Sequence, residues 1–194
     1  MVDSVSVAFF EEQFRKQSSD TALALNPFEV LVLPYLNGDV LDFGCGMGNL
    51  AFAAAKQGCR VIALDASPTA IRHICDCAAA NGLSVSAAVA DLRDYPLAGT
   101  YDAIVSIGLL MFFDCARAIK ILDDLKAHVR PGGIAAVNVL VEGTTYLGMF
   151  DPVDHCLFAP NTLREEFEGW AIEQMEFSNF SAPNDTVKRF CTIV

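Results

Sequence analysis

Short runs of β-branched and aliphatic residues recur along the chain at 40–43, 61–64, 85–90, 103–106 and 134–141, with helical periodicity between them. Residues 49–57 are rich in alanine, small enough to lie close against a sheet, and Gly58 ends them. Ser67 and Pro68 supply an N-cap and a first-turn proline for a helix with an apolar stripe of Ala70, Ile71, Ile74, Cys75 and Ala78, closing at Asn81 and Gly82. Asp114 is placed to cap a further helix whose Ile119, Leu122, Leu125 and Val129 share a face, with its stop expected at Pro131, Gly132 and Gly133. The third run leads into a loop instead, 91–100, broken by Pro96 and Gly99. Two more helices are predicted ahead of the first strand, at 5–17 and 28–36. Beyond the fifth run, 142–160 is irregular, Asn161 or Thr162 can cap a short helix through Glu168, and 172–177 and 187–194 predict two last strands. Strands alternating with helices predict an α/β chain, a doubly wound, mostly parallel seven-stranded sheet with helices on both faces.

Composition agrees with one packed domain: 194 residues, 53% hydrophobic and 19% charged. The 24 acids and 13 bases, a net −11, are unevenly spread. Residues 1–50 carry seven acids and two bases, 51–141 carry eight of each, and 142–194 carry nine and three. Acidic flanks repel phosphate backbones and anionic lipid heads, so small molecules are expected as partners, and nucleic acid and membranes are not. The longest uncharged stretch, 77–90, is too short for a membrane span. The first thirty residues lack a basic start followed by an apolar block, so no signal peptide is expected and the location is taken as cytoplasmic. Seven cysteines, an odd number without CxxC spacing, are expected as reduced thiols. His73 and Cys77 stand at i,i+4 without a second ligand pair, so no metal is expected.

The strongest chemical signal runs from Val40 to Asn49, where a strand enters three alternating glycines, Gly44, Gly46 and Gly48, just before a helix. Such a turn lets backbone approach a nucleotide-like ligand at the carboxyl end of the strand. A dinucleotide fingerprint would place its third glycine where Asn49 stands, and Asp42 would repel a pyrophosphate, which disfavours a nicotinamide enzyme. A carboxylate there suits a cationic ligand, and S-adenosylmethionine carries both an ammonium and a sulfonium. Asp65 ends the second run, where it can accept ribose hydroxyls, and Asp91 with Leu92 ends the third, where they suit an adenine amine and face.

Together with Tyr101-Asp102 and Arg130-Pro131-Gly132-Gly133, these motifs make residues 38–141 resemble a class I S-adenosylmethionine-dependent methyltransferase, with its Rossmann-like fold. The resemblance implies that Asp42 and the backbone of Gly44, Cys45, Gly46 and Asn49 face the methionine part, and that Asp65, Ala66 and Ser67 lie at the ribose. It implies that Asp91 and Leu92 hold the adenine and that Ser106 forms the floor near the methyl group. Within that superfamily, 106–113 (SIGLLMFF), the proline-glycine-glycine turn and 157–170 (LFAPNTLREEFEGW) resemble the tellurite-resistance methyltransferases. That family's basic His-Arg segment has no counterpart in 179–185, where only Lys188 and Arg189 follow. The resulting division of 1–194 is a helical cap at 1–37, a cofactor core at 38–141 and a substrate-side segment at 142–194.

The expected activity is methyl transfer to a small soft nucleophile, a tellurite or selenium species or a thiol, which needs no base. A methyltransferase of small amines or hydroxyl compounds, and a non-catalytic binding protein of the same fold, are the alternatives. His155 is the candidate base, with Asp151 or Asp154 to orient it. Phe10, Met111 and Tyr146 are candidate acceptor contacts, and Phe14, Phe112, Phe113, Met149 and Phe158 further candidates for an apolar lid. A homodimer is left open.

Overall fold

A computed structural model describes residues 5–17 and 24–194. Before the sheet come α1 (Val5–Gln17), α2 (Pro27–Val32) and a 3₁₀ turn at Leu33–Tyr35. Then β1 (Asp39–Phe43), α3 (Asn49–Lys56), β2 (Arg60–Asp65), α4 (Pro68–Asn81), β3 (Val85–Val89), β4 (Tyr101–Ile107), α5 (Cys115–Ala127) and β5 (Val129–Leu140) alternate as the hydrophobic pattern requires. A short α6 (Thr162–Glu166), β6 (Met175–Ala182) and β7 (Thr186–Ile193) complete the chain.

The strands lie in the order β3-β2-β1-β4-β5-β7-β6. The first five are parallel, and β7 joins β5 and β6 antiparallel. Alternation along the strands sends Leu41, Phe43, Leu64 and Ile104 into one core and Val40, Val61, Ala63, Ala103 and Val105 into another, one on each face. Strand order reverses between β1 and β4, so the loops at their carboxyl ends diverge and leave a crevice. Every candidate cofactor residue belongs to an end of β1, β2, β3 or β4 or to the turn that follows, except Asn49, which opens α3.

The caps are as the sequence predicts for α4 and α5: Ser67 accepts the Ala70 N–H and Asp114 the Arg117 N–H. The helix expected at 28–36 is divided into α2 and the 3₁₀ turn, and β6 opens at Met175 and not at 172. Three further boundaries stand out. Helix α5 ends at Ala127 with His128 as its C-cap, so Val129 and the Pro131-Gly132-Gly133 turn belong to β5. There Val129 pairs with Tyr101, and a Cβ on Gly133 would stand 2.7 Å from the Asp102 carbonyl. Strand β6 extends to Ala182, well beyond 177, because Asn184 and Asp185 adopt left-handed φ of 58° and 55° and turn the chain straight back into β7. The third is α6, which stops at Glu166, and its Asn161 makes no side-chain cap. No helix among the described residues is long and apolar enough to cross a membrane.

The expectation of seven reduced thiols is corrected. Cys115, at the first turn of α5, is bonded to Cys156, with their Cα atoms 4.8 Å apart. The two are separated by 41 residues, and only the folding of 142–160 back over the sheet brings them together. Cys45, Cys59, Cys75, Cys77 and Cys191 remain free. Thiol titration of the denatured, unreduced chain should count five groups, and seven after reduction; seven in both would remove the bond. Closing a loop of this length restrains the unfolded chain by about 4 kcal/mol, so reduction should lower the unfolding midpoint in urea.

Candidate active site

The turn after β1 is closed by the Gly44 and Cys45 N–H groups, which donate to the Leu64 carbonyl of β2 at 2.8 and 3.0 Å. Gly44 has φ of 89°, and a Cβ there would sit 2.9 Å from Leu109. Gly48, with φ of 79°, opens α3, and its Cβ would sit 2.6 Å from Ile74 of α4. Both positions therefore exclude a side chain for steric as well as conformational reasons. Asp65 braces the same turn from β2: one carboxylate oxygen accepts the Gly46 N–H and the other the Ser67 N–H, each at 2.9 Å.

These elements enclose a cavity of about 550 Å³. Asp42, Gly44, Cys45, Gly46, Asn49, Asp65, Ala66, Ser67, Asp91 and Leu92 all line it, and so does Phe10. Ser106 does not: it is wholly buried, its hydroxyl lacks a partner, and strand alternation gives the wall to its neighbour Ile107, followed by Gly108 and Leu109. Met111 and Tyr146 also stand apart from the lining, Met111 in the core and Tyr146 beneath the Lys188 ammonium, 4.7 Å from its ring centre. Phe14, Phe112 and Phe113 reach the cavity, whereas Met149 and Phe158 are core.

Among the described residues four acids line the cavity, Glu29, Asp42, Asp65 and Asp91, against one base, Arg93. Asp42 is only 4% exposed, and its Oδ2 has no hydrogen-bond partner. Burial, with the nearby charges of Glu29 and Asp65, pushes its carboxyl up to about 8. Burial also raises Asp65, against the N–H groups of Ser67, Gly46 and Ala66 that favour its charged form. Cys45 is held as a neutral thiol by burial and by Asp42 and Asp65, so it is unsuited to nucleophilic chemistry. Ser6 adds a second buried, unpartnered oxygen to the wall.

Helix α1 forms one side of the cavity. Phe10 meets Phe112 edge-on with centroids 5.1 Å apart, and Phe14 lies over Gly46. Glu11, which the sequence did not single out, accepts hydrogen bonds from the hydroxyls of Ser67 and Thr69 at the start of α4. Burial pushes its carboxyl up, but those two hydroxyls outweigh it and hold the group below the usual range. Glu29 and Arg93 also escaped notice, since a lone charge on a short helix or in a loop leaves no periodic mark.

Residues 40–133 match the family model for a methyltransferase domain. The chain is 28% identical over 132 residues to the probable S-adenosyl-L-methionine-dependent methyltransferase TehB of Haemophilus influenzae, covering 68% of this chain and 45% of that protein. Residues 40–133 are thus a methyltransferase domain, and the chain resembles the class I S-adenosylmethionine-dependent methyltransferases of the TehB-like type. The crystal structure of TehB from Haemophilus influenzae shares the fold, with a TM-score of 0.76 at 23% identity over 95% of this chain and 65% of that one. Hemagglutinin 1 of Eikenella corrodens is 30% identical over 143 residues, 70% of this chain and 45% of that protein. The chain thus spans less than half the length of these two curated relatives.

The residues present fit the family's cofactor, because a buried carboxylate oxygen without a partner, beside a glycine turn, asks for a cation with hydrogen-bond donors. His155 does not line the cavity of this methyltransferase fold. Its Nδ1 donates to the Asp151 carbonyl at 2.9 Å and its ring stacks on Phe150. Asp154 is turned away to Arg93 and to the Asp114 N–H, so neither acid's carboxylate orients the histidine as expected. Segment 142–194 supplies none of the lining residues.

The folded, ligand-free chain keeps a proton on Asp42 that the unfolded chain releases near the ordinary carboxylate pKa. This contribution to stability is complete below the unfolded value and is lost as pH rises toward 8. The loss should be on the order of 2–5 kcal/mol, and Asp42→Asn should flatten it. Urea unfolding from pH 5 to pH 8 measures the slope; equal slopes for the two proteins would contradict it.

Proposed function

We propose that the protein transfers a methyl group from S-adenosylmethionine to a small soft nucleophile, a thiol or a reduced chalcogen. The observation that carries the cofactor is the unpartnered Asp42 oxygen beside the glycine turn, with Asp65 and Asp91 at the ends of the neighbouring strands. In this reading Asp42 faces the methionine part, Asp65 the ribose and Asp91 with Leu92 the adenine. The cofactor supplies an electrophilic methyl group on a sulfonium. What the chain must add is position and dryness. Phe10, Phe112, Phe113 and Leu109 furnish an apolar wall that excludes water from one side of the cavity.

The acceptor class follows from the lining. Among the described residues it contains no histidine, lysine or tyrosine, and Cys45 is neutral. An acceptor that already carries a reactive lone pair suits this wall better than one that must first lose a proton. Tellurite and other oxyanions meet four acids, while the one base, Arg93, is engaged by Asp154. The same acids favour a small amine as the second reading, since its cationic form is drawn to the cavity. A cytoplasmic location belongs to this proposal, and there the Cys115–Cys156 bond would meet a reducing thiol pool.

Release of S-adenosylhomocysteine should be measured with thiols, selenols, selenite, tellurite, amines and phenols. Thiols or selenols should turn over at least about tenfold faster than phenols, and any tellurite rate should rise with ionic strength. Faster turnover of amines would move the acceptor to the second reading. Binding without turnover on the whole panel would make this a binding protein. Asp65→Ala and Asp91→Ala should each weaken the cofactor by roughly tenfold with the circular dichroism spectrum unchanged. Unaltered affinity in both would remove the site.

A further inference from the structure

Unsatisfied acceptor capacity is not spread evenly over the four lining acids. Both oxygens of Asp65 take backbone N–H groups. Asp91 is exposed to solvent, and its Oδ1 accepts the Arg93 N–H at 3.2 Å. Asp42 is buried with Oδ2 unpartnered, and the group whose charge most disturbs it is Glu29. Glu29 lies far from the glycine motif in sequence, on α2, and lines the same cavity.

Its carboxylate is held in place. Asn26 caps α2 by accepting the Phe28 and Glu29 N–H groups at 2.9 and 3.0 Å, and Glu29 Oε2 accepts the Asn26 N–H at 2.7 Å in return. The reciprocal box uses Oε2, and among the described residues no donor is paired with Oε1. Two carboxylates that repel each other across a shared, poorly solvated wall are stable as a charged pair only with a cation between them. Among the described residues no lining side chain provides one, because Arg93 is paired with Asp154 and stacked over Phe113, 5.3 Å from its ring centre.

The missing partner must bring positive charge and several N–H donors. A sulfonium brings charge without donors and leaves Asp42 Oδ2 unpartnered, whereas a primary ammonium brings both. We propose that Glu29 is a cofactor-binding residue and that, with Asp42, it forms a two-carboxylate seat for the α-ammonium of the cofactor's methionine part. This rests on the S-adenosylmethionine reading and deepens it, assigning the amino end to a residue outside the glycine, ribose and adenine motifs. It also makes α2 part of the binding site and not simply a cover for the sheet.

Glu29→Gln in the full chain is the test, because glutamine keeps the capping box and removes only the charge. Calorimetry would compare two ligands on the wild-type and variant proteins. S-adenosylhomocysteine has the ammonium but no sulfonium, and 5′-methylthioadenosine has the adenosine and thioether but no amino acid. Affinity for the first should fall about 10- to 100-fold, as for a lost charge-assisted hydrogen bond, with the second within about twofold of wild type. Asp42→Asn combined with Glu29→Gln should cost less than the product of the two single losses, since both act on one ammonium. Equal losses for the two ligands, or none for either, with the wild type binding both, would overturn the seat and leave the cofactor reading standing. Failure of the wild type to bind either would overturn the cofactor reading and the seat with it. A thermal midpoint no lower than that of the wild type checks that the variant is folded, since removing the repulsion can only raise it.

Discussion

Burying Asp42 with one oxygen unpartnered is the constraint around which the site is arranged. A charged carboxylate in that position is unstable alone, and the ligand-free fold answers by raising its pKa to about 8. Neighbouring strand β2 does not relieve it, because Asp65 spends its own oxygens on the Gly46 and Ser67 N–H groups. Helix α2 makes it worse by presenting Glu29. The cavity wall thus combines carboxylates that favour positive charge with phenylalanines that exclude water.

The position of that carboxylate depends on the order of strands. β1 lies between β2 and β4, where the connections leave to opposite sides, and the crevice opens only at this point. Gly44 and Gly48 let the backbone turn inside it without colliding with Leu109 or Ile74. Glu11 then ties α1 to the first turn of α4 through Ser67, whose N–H is held by Asp65. Cover, turn and the carboxylate assigned to the ribose are consequently one connected network, so a shift in α1 would be felt at Asp65.

On the other side, Arg93 links the loop after β3 to 142–160 through Asp154, and Cys115–Cys156 links that segment to α5. The segment therefore acts on the cavity from behind. It braces the loop that carries Leu92 and Arg93, and contributes no wall of its own. The acid excess of the C-terminal flank is likewise outside the cavity, whose own negative character comes from β1, β2, the loop after β3, and α2.

Local patterns by themselves determined the alternation of strands and helices, the caps at Ser67 and Asp114, and the glycine turn with acids at three strand ends. Each of these is written in residues close together in the chain. The tertiary structure decided what depends on contacts between distant residues: the bond between Cys115 and Cys156, the pairing of Arg93 with Asp154, the turning of His155 onto Phe150, and the exclusion of Ser106 from the cavity by strand alternation. Strand β6 fell between the two, since its polar alternating residues at an edge leave no apolar run to detect. Glu29 could not be found from sequence at all. Its meaning lies in facing a buried carboxylate thirteen positions later, and only the packing of α2 against the sheet brings the two charges to one wall.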